Sequence, residues 1–383
     1  MKKTNRIILL RTGFFLAFVI LFLVSCEKTP EPEIPDYENL PATSIISSEK
    51  AQNAAELLFN EVNDNELIGI QVCLIDSVEE KWSYSIGSVD LKREENLQNY
   101  HIFRIGSITK IYTATLILKL VEEEYLELDQ KLSDFYPDFP DSDKISFRNL
   151  LNHSSGLIDI FELPDIFIQS VNFPGKHWNP STIAETCLSK GPSFEPGSRT
   201  KYSSANIILL GLIAEKVTGK KIWQLYRQYI SDPLELENTS FVPYENPEPS
   251  LINGYVHHMA LSMSEWYINT PEHLSWATAG HSAGAMTANS EELADFIRAL
   301  FTGKILSEES LQEMTTFLEN KGLGIFRFDV NGRVLWGHSG QLMGFECITA
   351  FDPQNQLTYT LCCNTSPYDI NALLKKMVNL ISK

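Results

Sequence analysis

Ser107 and Lys110 stand three residues apart in the stretch Phe103-Arg104-Ile105-Gly106-Ser107-Ile108-Thr109-Lys110, directly ahead of the mostly apolar run Ile111 to Val121. The run reads as a long buried helix with the pair at its N-terminal mouth. On a helix, positions i and i+3 share a face with Cβ atoms about 5–6 Å apart, so the lysine amine reaches the serine hydroxyl. The positive end of the helix dipole also favours an alkoxide developing there. A serine next to an amine in this setting is an activated nucleophile for acyl transfer. The same spacing recurs as Ser47-Ser48-Glu49-Lys50 and Ser198-Arg199-Thr200-Lys201. The first opens an amphipathic surface helix and the second lies in a Pro/Gly-rich loop, so neither has a buried helix behind it. Spacing alone is compatible with chance, and the surrounding elements must decide.

Those elements follow from periodicity. Ser47 to Asn63 places Ala51, Ala54, Leu57, Leu58 and Val62 on one helical stripe. Ile68 to Ile75 and Lys81 to Val89 are β-rich and flank the turn-like Asp76 to Glu80, which predicts a hairpin. From about residue 125 to 300 the pattern is helical and loop-like. Asn206 to Val217 is apolar on nearly all sides and stops at Thr218-Gly219. Ser290 to Phe301 is a helix with acidic residues in its first turn. Strands return at Gly324 to Val330, Arg333 to Gly337, Gly344 to Phe351 and Leu357 to Asn364, joined by turns at Asn331-Gly332 and Asp352 to Asn355. A helix over Asp369 to Ile381 closes the chain. The order implies an α+β fold: an antiparallel sheet built from both ends (about 45–105 and 322–383), flanked by the terminal helices, with a mostly helical insertion over about 106–321.

The first 25 residues do not belong to that fold. Lys2, Lys3, Arg6 and Arg11 precede an uncharged apolar core, Thr12 to Val24, which is short for a membrane span and has the layout of an export signal. The core ends in Leu23-Val24-Ser25-Cys26, which resembles the lipobox of bacterial lipoproteins. That resemblance implies cleavage before Cys26, acylation of Cys26 and attachment to the cell envelope. Residues 26–44, with Pro30, Pro32, Pro35 and Pro41, form an extended, semi-rigid tether, and residues 45–383 form the folded domain. Loss of residues 1–25 removes those four positive charges and no negative one, taking the formal net charge from −18 to −22. Such an acidic chain is a poor nucleic-acid binder. With Cys26 acylated, Cys73, Cys187, Cys347, Cys362 and Cys363 remain. They show no metal-ligand spacing, and buried thiols are the expected state. His101, His177, His257 and His258 likewise lack partners at metal spacing and read as surface or packing residues.

With the elements in place, four ordered segments resemble the serine β-lactamase and penicillin-binding-protein superfamily, nearest its class C β-lactamase, DD-peptidase and esterase branch. Ser107 to Lys110 matches its Ser-x-x-Lys. Leu150 to Leu157 (Leu-Leu-Asn-His-Ser-Ser-Gly-Leu) is similar to its His-Thr-Ser-Gly-Leu marker. Pro196 to Ser204 is similar to the stretch carrying its Tyr-x-Asn motif. Gly337-His338-Ser339-Gly340, at the end of a strand, is similar to its Lys-Thr-Gly or His-x-Gly motif.

The resemblance implies that Ser107 is the acylated nucleophile and that Lys110 and Tyr202 share general-base work, the lysine charge lowering the phenol pKa. His338 would be a third polar or cationic group facing the cleft. The backbone N–H groups of Ser107 and Gln341 would form an oxyanion hole, and Gly340 would let the strand approach the substrate. No metal or other cofactor is implied. Ser204 stands where the family has asparagine. A hydroxyl is shorter than a carboxamide, and this departure weakens β-lactam or peptide recognition more than acyl transfer. Asn206 is two residues further on. The implied activity is a serine hydrolase acting on D-Ala-type peptides or esters. The alternatives are a class C-like β-lactamase and a catalytically weak cell-wall-binding or scaffold module; oligomeric state is open. A rival nucleophile, Ser282 in Gly280-His281-Ser282-Ala283-Gly284, fits the Gly-x-Ser-x-Gly elbow but lacks the preceding strand and following helix an elbow requires.

Overall fold

A computed structural model describes residues 47–246, 250–257 and 266–382. The expected signal over residues 1–25, Cys26 and the expected tether over residues 26–44 lie outside them. The chain divides into two compact units, Met1–Pro30 and Glu31–Lys383, and every described residue belongs to the second.

Helix α1 (Ser48–Asp64) leads into strands β1 (Gly69–Ile75) and β2 (Lys81–Gly87). The two-residue β3 (Phe103–Arg104) delivers the chain to a tight 3-10 turn, Gly106–Ile108, and to α2 (Thr109–Glu122). The middle carries α3 (Phe147–Leu151), α4 (Pro164–Asn172), α5 (Pro180–Leu188), α6 (Ser204–Thr218) and α7 (Ile222–Tyr226). Short strands β4 (Ser240–Phe241), β5 (Gly254–His257) and β6 (Trp266–Asn269) follow, then α8 (Ser275–Gly280), β7 (Met286–Ala288), α9 (Ser290–Phe301) and α10 (Glu308–Met314). The end is β8 (Phe326–Val330), β9 (Arg333–Leu342), β10 (Phe345–Asp352), β11 (Leu357–Cys363), β12 (Thr365–Ser366) and α11 (Ile370–Ser382).

Six strands make the main antiparallel sheet in the order β2-β1-β11-β10-β9-β8. Side chains alternate across it, and each face has its own core. Ile70, Val72, Leu74, Ile348, Ala350 and Leu361 pack with Ala54, Leu58 of α1 and Leu374, Met377 of α11. Cys347, Phe351 and Cys362 face the other way, into the large core that holds α2, α6 and α9. Covered on both sides, β1 and β10 are buried along their whole length, and β1 is accordingly apolar but for Gln71. Helix boundaries follow their caps: Ser47 Oγ accepts from Lys50 N–H at α1, and Gly219 in the left-handed region (φ 69°) ends α6. The five cysteines from Cys73 on are buried free thiols. Among the described residues no helix is long and apolar enough to cross a membrane.

The fold class matches the expectation, with two local differences. Strand β9 continues to Leu342, so Gly337 to Gly340 lie inside a strand rather than at its end. The glycines and Ser339 carry little intrinsic β preference. Their pairing with β10, where His338 faces Thr349 and Gly340 faces Cys347, supplies the strand state. The helical middle also holds strands, including the small sheet β3-β7-β4, whose two- and three-residue strands are too short to leave a periodic signal.

Candidate active site

Ser107 sits in the turn that starts α2, and the turn is pressed against the edge of β9. Strand β8 pairs with β9 only as far as Gly337, which leaves the rest of that edge facing Ile105 to Ser107. Both contact points need glycine. A Cβ on Gly340 would lie 1.9 Å from the Ile105 carbonyl oxygen. Gly106 has φ of 51°, and a Cβ there would lie 2.7 Å from the Gln341 oxygen. The backbone at Gln341 is thereby brought beside that of Ser107, as an oxyanion pocket requires. Ile105 N–H, bonded to the Met286 carbonyl at 3.1 Å, fixes the approach from the opposite side.

Three side chains meet at the serine. Lys110 Nζ is 3.0 Å from Ser107 Oγ, and Tyr202 OH is 2.7 Å from it. Lys110 Nζ also donates to the Ala283 carbonyl at 2.7 Å and lies 4.9 Å from the centre of the Tyr202 ring. Helix α2 is buried nearly all round, and Lys110 with it. Burial penalises the ammonium and lowers the lysine pKa to about 7, with the carboxylate of Asp159 pulling the other way. Burial pushes the Tyr202 phenol well above its usual range, opposed by its hydrogen bonds to Ser107 and Ser204. The split is the reverse of a cationic lysine creating a phenolate. Around neutral pH part of the amine is unprotonated, whereas the phenol keeps its proton.

His338, on β9, is buried, and Phe326 stacks on it at 4.4 Å between ring centres. Burial, then the nearby Lys110 charge, lowers its pKa to about 3, so it is a neutral imidazole rather than a cationic group. Its Nδ1 contacts the Ser339 carbonyl, which can only accept. Nδ1 therefore carries the proton and Nε2 is left as an acceptor, buried and without a partner among the described residues. His153, from the His-Ser-Ser-Gly-Leu segment, packs on the Tyr202 ring at 4.6 Å and accepts Ser203 N–H at 3.2 Å, supporting the tyrosine loop.

Ser204 lies buried at the start of α6, its N–H bonded to Asp159 Oδ2 at 2.6 Å. Asn206 does not replace the missing asparagine: its Oδ1 accepts from Ser155 Oγ at 2.7 Å, inside the protein. The Gln341 side chain turns to the other face of the sheet and donates to Glu346 at 2.7 Å, leaving the cleft to its backbone.

Two groups of the site went unread in the sequence. Asp159 is buried, caps α6 through Ser204 and caps the following turn through Phe161 N–H at 2.8 Å. The signal was present: Asp159 and Glu162 form a reciprocal capping box around that turn. The other group is the Ala283 carbonyl. The segment with the rival serine forms a helix followed by a tight turn, and Ser282 Oγ is fully buried against the Ile207 carbonyl at 2.9 Å. Ser282 cannot meet a substrate; the next residue holds Lys110.

Comparison with known proteins gives the same picture. The sequence profile of the family described as Beta-lactamase matches residues 54–376. Protein flp of Staphylococcus aureus (strain MRSA252) is 22% identical over 348 residues, covering 87% of this chain and 66% of that protein, just under two thirds of its length. The D-amino acid amidase of Ochrobactrum anthropi SV3 superposes with a TM-score of 0.75 at 25% identity, over 86% of this chain and 99% of the amidase. A D-stereospecific amidohydrolase from Streptomyces sp. gives 0.69 at 27% identity, over 78% and 90% of the two chains.

Proposed function

The chain belongs to the Beta-lactamase family, and from that premise we propose that it is a serine hydrolase which forms an acyl-enzyme on Ser107 and cleaves amides or short peptides of D-amino acids, and esters. The observation that carries the proposal is the convergence of Lys110 Nζ and Tyr202 OH on one serine oxygen, at 3.0 and 2.7 Å. The D-amino acid amidase and the D-stereospecific amidohydrolase support the substrate class. Ser204 in the asparagine position lacks the carboxamide that would read a substrate amide, which favours the esters of this set.

In acylation, Ser107 Oγ bonds to the substrate carbonyl carbon while its proton passes to the neutral Lys110 amine. The carbonyl oxygen takes the negative charge and faces the backbone N–H groups of Ser107 and Gln341. Collapse of this adduct breaks the bond to the leaving nitrogen or oxygen, which takes the Tyr202 proton; the phenolate regains it from the Lys110 ammonium. Water then repeats the sequence in reverse, giving its proton to the same pair as Ser107 departs. The neutral His338 is buried under Phe326, packs 6.0 Å from the Tyr202 ring between centres, and helps hold the tyrosine in place. The export signal and Cys26 support placement of this activity on the cell envelope through a lipid anchor.

Intact-mass measurement after a fluorophosphonate probe tests the proposal. One adduct is expected in the wild type and none in Ser107→Ala. An adduct that persists in Ser107→Ala, or no adduct with any acyl donor, would overturn it.

A further inference from the structure

Glu346 is a buried carboxyl group that the proton transfers at Ser107 do not use. It stands on β10 and is 7% exposed, beside Cys347, which faces the large core. Its own side chain therefore points to the opposite face of the sheet. There it accepts from Gln341 Nε2 at 2.7 Å and from the backbone N–H of Tyr368. Burial pushes its pKa up to about 7 against the pull of those two bonds, and the charge of Asp369 adds to the rise. Burying an acid costs stability that an apolar side chain would not.

What this acid holds is the free end of β9. Gln341 and Glu346 are register partners, and β8 has left the outer edge of β9 by Gly337. The Gln341 backbone faces the serine turn: its oxygen and nitrogen lie 2.7 and 3.0 Å from where a Cβ on Gly106 would stand. In an antiparallel ladder, a pair whose backbone groups turn outward makes no backbone bond between its members, and their side chains come closest. The Gln341–Glu346 bond takes the place of the missing rung. Behind it the support is continuous. Tyr368 donates its hydroxyl to Glu61 of α1 at 2.7 Å, and Lys376 of α11 bonds to the same carboxylate. The turn beyond Gln341 is fixed as well, by Asn269 Nδ2 donating to the Met343 carbonyl at 2.7 Å and Gly344 N–H donating to Ser366 Oγ at 3.0 Å.

Resting on the hydrolase reading above, we propose that Glu346 is a positioning residue for acyl transfer: through the Gln341 side chain it fixes the angle at which the Gln341 N–H meets the oxyanion. The side chain stands perpendicular to the sheet and the N–H lies in its plane. Holding the one stops β9 from rotating about its axis, the motion that would swing the other away. An oxyanion donor acts over about 2.7–3.1 Å, and a misplacement of about 1 Å costs about a hundredfold.

The test measures p-nitrophenyl acetate hydrolysis by the wild type, Gln341→Ala, Glu346→Ala, Glu346→Gln and the double alanine variant. Acylation and deacylation charge the same oxygen, so kcat reports the effect whichever step limits. Each alanine variant is expected to lose about tenfold in kcat with KM within about twofold, part of what removal of a whole donor costs. The double variant is expected to match the single ones rather than multiply their losses, because both residues act through one bond. Glu346→Gln is expected to keep kcat within about twofold: its carbonyl accepts Tyr368 N–H, and the Gln341 amide turns over to accept from its NH₂. Gln341→Ala alters an exposed side chain, so the test stands even where Glu346→Ala does not fold. Wild-type kcat in Gln341→Ala, a loss confined to KM, multiplied losses in the double variant, or a Glu346→Gln as slow as Glu346→Ala would overturn the role. If the wild type neither cleaves the ester nor takes fluorophosphonate at Ser107, the hydrolase reading itself fails and the role falls with it; full turnover in every variant removes the role alone.

Discussion

Lys110 Nζ is anchored by the Ala283 carbonyl at 2.7 Å, closer than its 3.0 Å approach to Ser107. Its second partner is therefore a neutral backbone oxygen rather than a carboxylate. A carbonyl accepts from an amine and an ammonium alike, so the nitrogen stays in place while its proton comes and goes. The absence of a direct negative partner also lets burial depress the lysine pKa.

The first prediction concerns the two serines. Ser282 Oγ bonds to the Ile207 carbonyl and packs so closely on α6 that a Cβ on Gly211 would lie 2.3 Å from it. Ser282→Ala removes one buried hydrogen bond and is expected to cost about 1 kcal/mol of stability, read by urea unfolding, with fluorophosphonate labelling intact. Labelling lost in Ser282→Ala at full folding would contradict the assigned roles.

A second prediction follows from the lysine. With its pKa lowered to about 7, Lys110 is protonated below that pH and free above it. In the proposed mechanism the free amine is the base, so kcat/KM on an ester is expected to fall about tenfold per pH unit below the midpoint and to level off above it. Tyr202→Phe is expected to cost at least about a hundredfold yet keep this acid limb, because the limb belongs to Lys110. An acid limb that vanishes in Tyr202→Phe would transfer the titration to the phenol.

These roles mark where the sequence stopped being sufficient. The stripe of α1, the apolar α6 with its Gly219 stop and the alternating terminal strands were legible because periodicity and caps are local. The meeting of Ser107, Lys110, Tyr202 and His338 was legible only from four ordered segments taken together. The direction of proton transfer was not, since it depends on how deeply α2 is buried. Nor was the state of His338: an imidazole in water takes up a proton near about pH 6.5, whereas burial keeps this one neutral down to about 3. Asp159 carried a capping signature that was overlooked, whereas the Ala283 carbonyl has no side-chain signature at all.

Asp159 supplies the third prediction. Its carboxylate is the charge that holds the Lys110 pKa up against burial. In Asp159→Asn that support is gone, the lysine pKa drops further, and the acid limb of kcat/KM is expected to move to lower pH. The amide still accepts one of the two N–H groups that the carboxylate caps, so the stability loss is expected to be about 0.5–2 kcal/mol by urea unfolding. A limb that stays put or moves to higher pH would show that Asp159 acts on the fold alone.

The last prediction tests the contact between the serine turn and β9. In Gly340→Ala the new methyl would lie 1.9 Å from the Ile105 oxygen and 3.1 Å from Ile108 Cγ1, and neither can yield without moving backbone or core. Overpacking of this kind costs about 1–3 kcal/mol, which a thermal melt detects without loss of the fold. The strand edge must move away from Ser107 and carry the Gln341 N–H with it. Removal of one oxyanion donor costs about 10²–10³-fold in kcat, and a loss of that size in the acylation rate is expected here. Because the Ala283 carbonyl that anchors Lys110 is not part of β9, the pH midpoint is expected to stay at the wild-type value while the plateau falls. Wild-type acylation in a folded Gly340→Ala protein would remove the Gln341 backbone from the oxyanion pocket.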